Sequence, residues 1–276
     1  LNAVSRRKIN LERDLRIAFG KGELQVCYQP QVDISTGVIS GAEALLRWTH
    51  PVVGAISPDE FVPLAEDSDL IVDIGRWVIE QACVDMKRVF SNGLHPGPVS
   101  INVSARQLSD DRFVSDVLEP LRNAGINPAY FQLEVTETAV AQNRDTATEL
   151  LQELRAQGIR VAIDDFGTGY SSLSYLQHMP FDVIKVDKTF VDDIGALETP
   201  SDNICRTIIR MAHEMGKTAI AEGVETKAQA EFLEKNGCNF AQGYYYASPL
   251  TKDEFVAFVE KEDFHTQRRK ALEIVQ

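Results

Sequence analysis

Phe131-Gln132-Leu133-Glu134-Val135, a helical pattern over Thr146–Gln157, then Val161-Ala162-Ile163-Asp164: this stretch decides the fold. Two short strand-type runs flank a helix, so the unit is strand–helix–strand and its strands run parallel. Outward from it the alternation recurs. Strand-type runs lie at Val99–Val103, Val183–Val186, Ala219–Ala221 and around Phe240–Gln242, and helical patterns at Leu70–Phe90, Asn203–Met215 and Lys227–Lys235. Ser57-Pro58-Asp59-Glu60 reads as an N-cap, a proline at the first helical position and an acidic first turn. Near the N-terminus, Leu24–Gln29 and Gly41–Trp48 are strands joined through Pro30 and the turn Asp33-Ile34-Ser35-Thr36-Gly37. That link is too short for a helical crossover, so the pair is antiparallel. Eight strands with enough helices to wrap them predict an α/β fold, a modified TIM-type (β/α)8 barrel with an antiparallel first strand.

The 276 residues carry 44% hydrophobic and 25% charged side chains, an ordinary globular balance. No apolar stretch approaches the roughly 18 residues of a membrane helix. The charged segment Leu1 to Leu11 has no signal-peptide pattern and no initiator Met. The expectation is therefore a cytoplasmic domain cut from a larger, membrane-associated or sensor-linked protein. Its expected parts are a linker helix over 1–20, a barrel over 21–262 and a charged, helical tail over 263–276. Cys27, Cys83, Cys205 and Cys238 lie far apart without CxxC spacing, so they read as reduced, buried thiols. A net charge of −13 argues against duplex nucleic acid as a partner. A phosphate-ester ligand would need its positive charge from metal ions or from a few Lys and Arg.

Ionisable residues fall where strands should be apolar. Glu43, Asn102, Glu134, Asp164 with Asp165, Lys185 with Asp187, and Glu222 sit in or at the end of six successive strands. An unpaired buried carboxylate must protonate, pair or bind a metal. Taken singly, each would serve as a structural hydrogen-bonding group. Together they converge, because strand ends of one polarity meet at one face of a barrel. The donors are oxygens. His50, His95, His178, His213 and His265 stand apart as surface or cap residues. Such a set suits Mg²⁺ or Mn²⁺ rather than zinc, and adjacent Asp164 and Asp165 could help hold two ions. The glycines of Phe166-Gly167-Thr168-Gly169-Tyr170-Ser171-Ser172 fit either a phosphate-cradling loop or a tight turn.

At these residues the sequence closely resembles the EAL domain family of bacterial cyclic di-GMP phosphodiesterases, over roughly residues 20 to 260. The segments that carry the resemblance are Tyr28-Gln29-Pro30, Glu43-Ala44-Leu45-Leu46-Arg47-Trp48, Phe61-Val62-Pro63-Leu64-Ala65-Glu66, Asn102-Val103-Ser104, Glu134-Val135-Thr136-Glu137, Asp164-Asp165-Phe166-Gly167-Thr168-Gly169, Lys185-Val186-Asp187, Ala221-Glu222-Gly223-Val224-Glu225 and Gln242-Gly243-Tyr244. The resemblance implies that Glu43, Asn102, Glu134 and Asp164 hold a first metal ion, and Asp165 and Asp187 a second. It implies that Glu222 is a metal ligand or base and that Lys185 holds the attacking water. Gln29, Leu46, Arg47, Glu225 and Gln242 resemble substrate-binding or supporting residues, and Glu137 a brace for the Asp165-Phe166-Gly167 loop. The implied reaction is in-line attack of water on one phosphorus, expelling the 3′ oxygen to give linear pGpG. Two Mg²⁺ or Mn²⁺ ions are implied, with Ca²⁺ inhibitory.

Many relatives carry Lys or Arg before the proline where this chain has Ser248-Pro249, which implies a small change at the barrel rim. The resemblance further implies a homodimer coupled to catalysis through the segment Asp165 to Leu173, and an upstream sensor or GGDEF domain. The rival readings are a non-catalytic cyclic di-GMP receptor, separated by turnover with Mg²⁺ or Mn²⁺, and an unrelated barrel lyase, which the ordered motifs oppose.

Overall fold

The computed structural model describes residues 3–167, 176, 178–194 and 200–261. The chain begins with α1 (Ala3–Lys21), β1 (Leu24–Asp33), β2 (Ile39–His50), β3 (Gly54–Ile56), α2 (Pro58–Asp67), α3 (Leu70–Ser91), β4 (Val99–Val103) and α4 (Phe113–Ala124). It continues through β5 (Phe131–Thr136), α5 (Glu137–Gln142), α6 (Arg144–Ala156), β6 (Arg160–Phe166), β7 (Val183–Val186) and α7 (Lys188–Asp192). Then come α8 (Pro200–Glu214), β8 (Thr218–Ala221), α9 (Lys227–Lys235), β9 (Phe240–Ala241) and a helix over 252–261. The strand order β1-β9-β8-β7-β6-β5-β4-β2 is closed by pairing of β1 with β2, which makes the expected eight-stranded barrel. β1 is antiparallel to both neighbours, and every other contact around the ring is parallel.

Two details differ from the sequence reading. β3, paired antiparallel to β2 outside the ring, was not foreseen. β1 also runs on through Pro30 to Asp33. Tyr28 exchanges both backbone bonds with Leu250, so alternate residues of β1 turn their backbone groups away from β2. Pro30 lies on that outer side, between the Leu250 contact and β9, so its missing N–H breaks no ladder bond. The Asp33 carboxylate accepts from the backbone N–H groups of Ser35 and Thr36, which fixes the tight turn into β2.

Period-2 alternation divides the barrel. Leu133, Val135, Ile163, Ile184 and Ala219 face the helices and merge with the main core. The other face points inward. At the N-terminal end of the barrel it is apolar, with Ala162, Val183 and Ile220 packed together. Gln132 donates to Ser100 at 2.9 Å inside the same ring. One step toward the C-terminal ends of the parallel strands, the inward positions become Glu134, Asp164 and Lys185. Helix α1 joins the core through Leu11, Leu15 and Ala18. All four cysteines are free and buried, as expected. No described helix is long and apolar enough to cross a membrane. The expected helical tail over 263–276 lies outside the described residues, as do Thr168 to Tyr175 of the glycine-containing segment.

Candidate active site

Six strands deliver the inward polar residues to one mouth. Lys185 of β7 is fully buried, and its ammonium contacts Glu134 of β5, Asp164 of β6 at 3.1 Å, Glu222 after β8 at 2.5 Å and Glu43 of β2 at 3.9 Å. One cation thus faces four carboxylates. Burial pushes the Glu134 carboxyl up to about 8 against the pull of Lys185, and raises Glu222 well above the carboxylate range. Burial by itself would lower Lys185, but its four carboxylates hold it well above the usual lysine value.

Glu43, Glu134 and Glu222 each offer an oxygen within 4.8 Å of the others. Glu134 Oε1 is buried without a hydrogen-bond partner. A surplus of buried negative charge with an orphaned oxygen is a donor set that a hard divalent cation satisfies. Asn102 is exposed at the end of β4 and its amide donates to Glu43 Oε1 at 2.6 Å.

Asp164 and Asp165 are adjacent, and in a regular strand they would point to opposite faces. The β6–β7 register shifts between Ile163 and Phe166, and Asp165 takes a left-handed φ of 53°. This bulge turns Asp165 toward Asp187, against which its carboxyl lies. Burial, with Asp164 and Asp187 beside it, raises Asp165 to about 6. Asp187 follows β7 and caps α7 by accepting from the Thr189 N–H at 2.9 Å. The structure therefore brings Asp165 and Asp187 together as a second pair beside the first cluster.

A second layer ties the cluster to β1 and β9. The Gln242 amide donates to Glu43 Oε2 at 2.6 Å and to Gln29 Oε1 at 3.0 Å, and accepts from Gln31 Nε2 at 3.0 Å. Gln29 in turn donates to the Ala247 carbonyl, next to exposed Ser248. Gln31 was missed by the sequence reading, although it lies two residues after Gln29 and so on the same face.

A cavity of about 280 Å³ opens above the cluster, lined among others by Gln29, Leu45, Lys188, Glu222, Glu225, Gln242 and Tyr244. Leu46 and Arg47 are not among its lining residues. Alternation places Leu46 on the face of Trp48, packed against the core, and leaves Leu45 on the face of Glu43. Arg47 shares the Glu43 face but donates to the Leu46 carbonyl. Lys188 and Leu45 were not foreseen as site residues; period-2 counting from Glu43 reaches Leu45. Glu137 opens α5, and both its carboxylate oxygens are buried without a hydrogen-bond partner. No bond from it to Asp165, Phe166 or Gly167 is found among the described residues. Among the described residues, no histidine lines the cavity. His50 accepts from the Val52 and Val53 N–H groups, and His213 meets Asn239.

The sequence model of the EAL domain matches residues 12–249. The chain is 38% identical to the bifunctional diguanylate cyclase/cyclic di-GMP phosphodiesterase MucR of Pseudomonas aeruginosa, over 94% of this chain and 38% of that protein. It is 39% identical to the cyclic di-GMP phosphodiesterase NbdA of the same organism, over 88% of this chain and 31% of that one. The chain thus spans about a third of the length of these relatives. Among solved structures it is similar to the MucR phosphodiesterase in its c-di-GMP complex, with a TM-score of 0.86 and 38% identity, covering 89% of this chain and 99% of that one. The EAL enzyme Bd1971, in a form with cAMP and cyclic di-GMP bound, gives a TM-score of 0.88 and 33% identity, over 94% of this chain and 70% of that one.

Proposed function

This chain belongs to the EAL domain family, and we propose that it is a metal-dependent phosphodiesterase that opens cyclic di-GMP to linear pGpG. The observation that carries the reading is the buried cluster of Glu43, Glu134, Asp164 and Glu222 around one lysine, under a cavity at the barrel mouth. The similarity to proteins named as cyclic di-GMP phosphodiesterases supplies the substrate class.

Glu43, Asn102, Glu134 and Asp164 would hold a first Mg²⁺ or Mn²⁺, Asp165 and Asp187 a second, with Glu222 beside both. Bound there, the ions would lower the pKa of a water and neutralise charge growing on the phosphoryl oxygens. Lys185 keeps its proton in this field and donates toward the attacking water, orienting it. Glu222, its carboxylate 2.5 Å from the Lys185 ammonium, takes the proton that water loses. The new O–P bond forms as the bond to the 3′ oxygen breaks, and that oxygen is protonated from solvent. Gln29 and Gln242 fix Glu43 from behind, and Gln29, Leu45 and Glu225 contact the nucleotide from the cavity wall.

The greater length of the relatives, one of them named as bifunctional with a diguanylate cyclase, supports an upstream sensor or GGDEF domain in the full protein; the partner expected for catalysis-coupled assembly is a second copy of this chain. For that coupling, Glu137 is the residue to watch, since its carboxylate is buried without a partner one residue after β5. The deciding experiment is purified protein with cyclic di-GMP and Mn²⁺ or Mg²⁺, product chromatography, and light scattering on the same sample. The expected results are pGpG, no turnover in excess chelator, inhibition by Ca²⁺ and a dimeric mass. Full activity in chelator, or no product with either metal, overturns the reading; a strictly monomeric, fully active enzyme removes the dimer from it.

A further inference from the structure

We propose that Lys188 is a specificity-determining residue of this site, the rim cation that receives the second, unreacting phosphate of a cyclic dinucleotide. The inference rests on the phosphodiesterase reading and deepens it. A cavity of about 280 Å³ is small beside ligand pockets of roughly 300–1,000 Å³. It takes the reacting phosphate with part of its nucleotide and leaves the remainder of a cyclic dinucleotide, with the second phosphate, toward the rim.

The rim is built from Lys188, Glu225 and Tyr244. Lys188 is the only cation among the described lining residues, because Lys185 lies beneath, among four carboxylates. Glu43, Asp164, Glu222 and Glu225 make the wall acidic. Metal ions would offset that field at the scissile phosphate, but a dianionic substrate carries a second charge that needs its own partner.

Lys188 is held over the cavity by the backbone beneath it. Gly223, with φ at +66°, passes directly under its stem. A Cβ there would lie 2.4 Å from Lys188 Cγ and 2.7 Å from Cδ. The side chain is also free to change partner. At the rim its ammonium pairs with Glu225 and lies 3.7 Å from Asp192, all three about half exposed. Such exposed pairs add little, so a phosphate displaces them readily through a charge-assisted bond. Tyr244, 68% exposed beside it, offers a flat ring on which a base can lie.

The test compares cyclic di-GMP with bis(4-nitrophenyl) phosphate, a phosphodiester with a single charge, using wild type, Lys188→Gln and Lys188→Arg with Mn²⁺. Lys188→Gln is expected to lose kcat/KM on cyclic di-GMP mainly through KM. Its loss there should exceed its loss on the small diester by about tenfold or more, and Lys188→Arg should recover most of the difference. Equal losses on both substrates, or none on cyclic di-GMP, overturn the proposal. If the wild type turns over neither substrate, the phosphodiesterase reading fails. Lys188 is then judged by the calorimetric Kd for cyclic di-GMP, and an unchanged Kd in Lys188→Gln overturns it separately.

Discussion

Glu134 and Asp182 are acidic residues at opposite ends of one barrel, and their surroundings push them in opposite directions. At the mouth, Glu134 shares Lys185 with three other carboxylates, keeps one oxygen unpartnered, and is raised to about 8 by burial. At the N-terminal end, Asp182 accepts from Arg155 Nε at 3.0 Å, from Arg155 Nη2 at 2.5 Å and from the Val161 N–H at 3.0 Å. Burial alone would raise Asp182 too, but these donors outweigh it and hold the carboxyl below its ordinary value. Beside it, Lys217 donates to the Phe181 carbonyl at 2.6 Å and sits 4.9 Å from the Phe181 ring. A satisfied acid contributes to folding, whereas an unsatisfied one keeps its capacity for a ligand. The two ends of this barrel divide along that line.

Removing an acid from the mouth should therefore cost activity rather than fold. Glu43→Ala deletes the carboxylate that receives Asn102 and Gln242. Turnover of cyclic di-GMP is expected to fall by about a hundredfold to a thousandfold or more, with the circular dichroism spectrum unchanged. A near wild-type rate would mean that the wrong cluster has been assigned. A smaller effect concerns stability. Mn²⁺ at about a hundred times its Kd should add about 2.7 kcal/mol by mass action, read as a rise in the unfolding midpoint. Glu134→Gln should lose most of that rise. An identical Mn²⁺ shift in the variant would show that Glu134 does not hold the ion, and would blur the contrast between the ends.

The barrel and most of its mouth were legible in the sequence because both rest on simple periodicities. Strand-type runs of three to five residues between helices gave the parallel ring, and acids among Val and Ile gave the inward layer. What escaped was set by backbone detail. The left-handed turn at Asp165, which lets neighbouring aspartates serve one mouth, has no signature in Asp164-Asp165 alone. Leu46 was read as substrate-binding from its place in a motif, whereas counting by two from Glu43 selects Leu45 for the cavity wall. Lys188 was overlooked because it sits on α7, outside the strand pattern, and reaches the rim only by lying across Gly223.

The smallest effect tests the satisfied end. Asp182→Asn keeps the side chain's shape and removes its charge, so the Arg155 fork loses its ionic partner and one acceptor. Asp182 is partly exposed, its side chain at 26%, which places the expected loss at about 1–2 kcal/mol. Its pH dependence follows from the direction of the shift. The folded carboxyl is more acidic than the unfolded one, at about 3.9. Its contribution is therefore complete above the unfolded value and is lost as pH falls through the folded one. Urea midpoints should show the full gap between wild type and Asp182→Asn at about pH 7 and about pH 5, and a shrinking gap near pH 3. Turnover by folded protein at neutral pH should stay within about twofold of wild type, since Asp182 lies at the far end of β7 from Lys185. A gap that widens in acid would mean that Arg155 and the Val161 N–H do not govern this carboxyl. A variant that loses activity along with stability would mean that the two ends of the barrel are coupled, and that the satisfied end has a part in the work of the mouth.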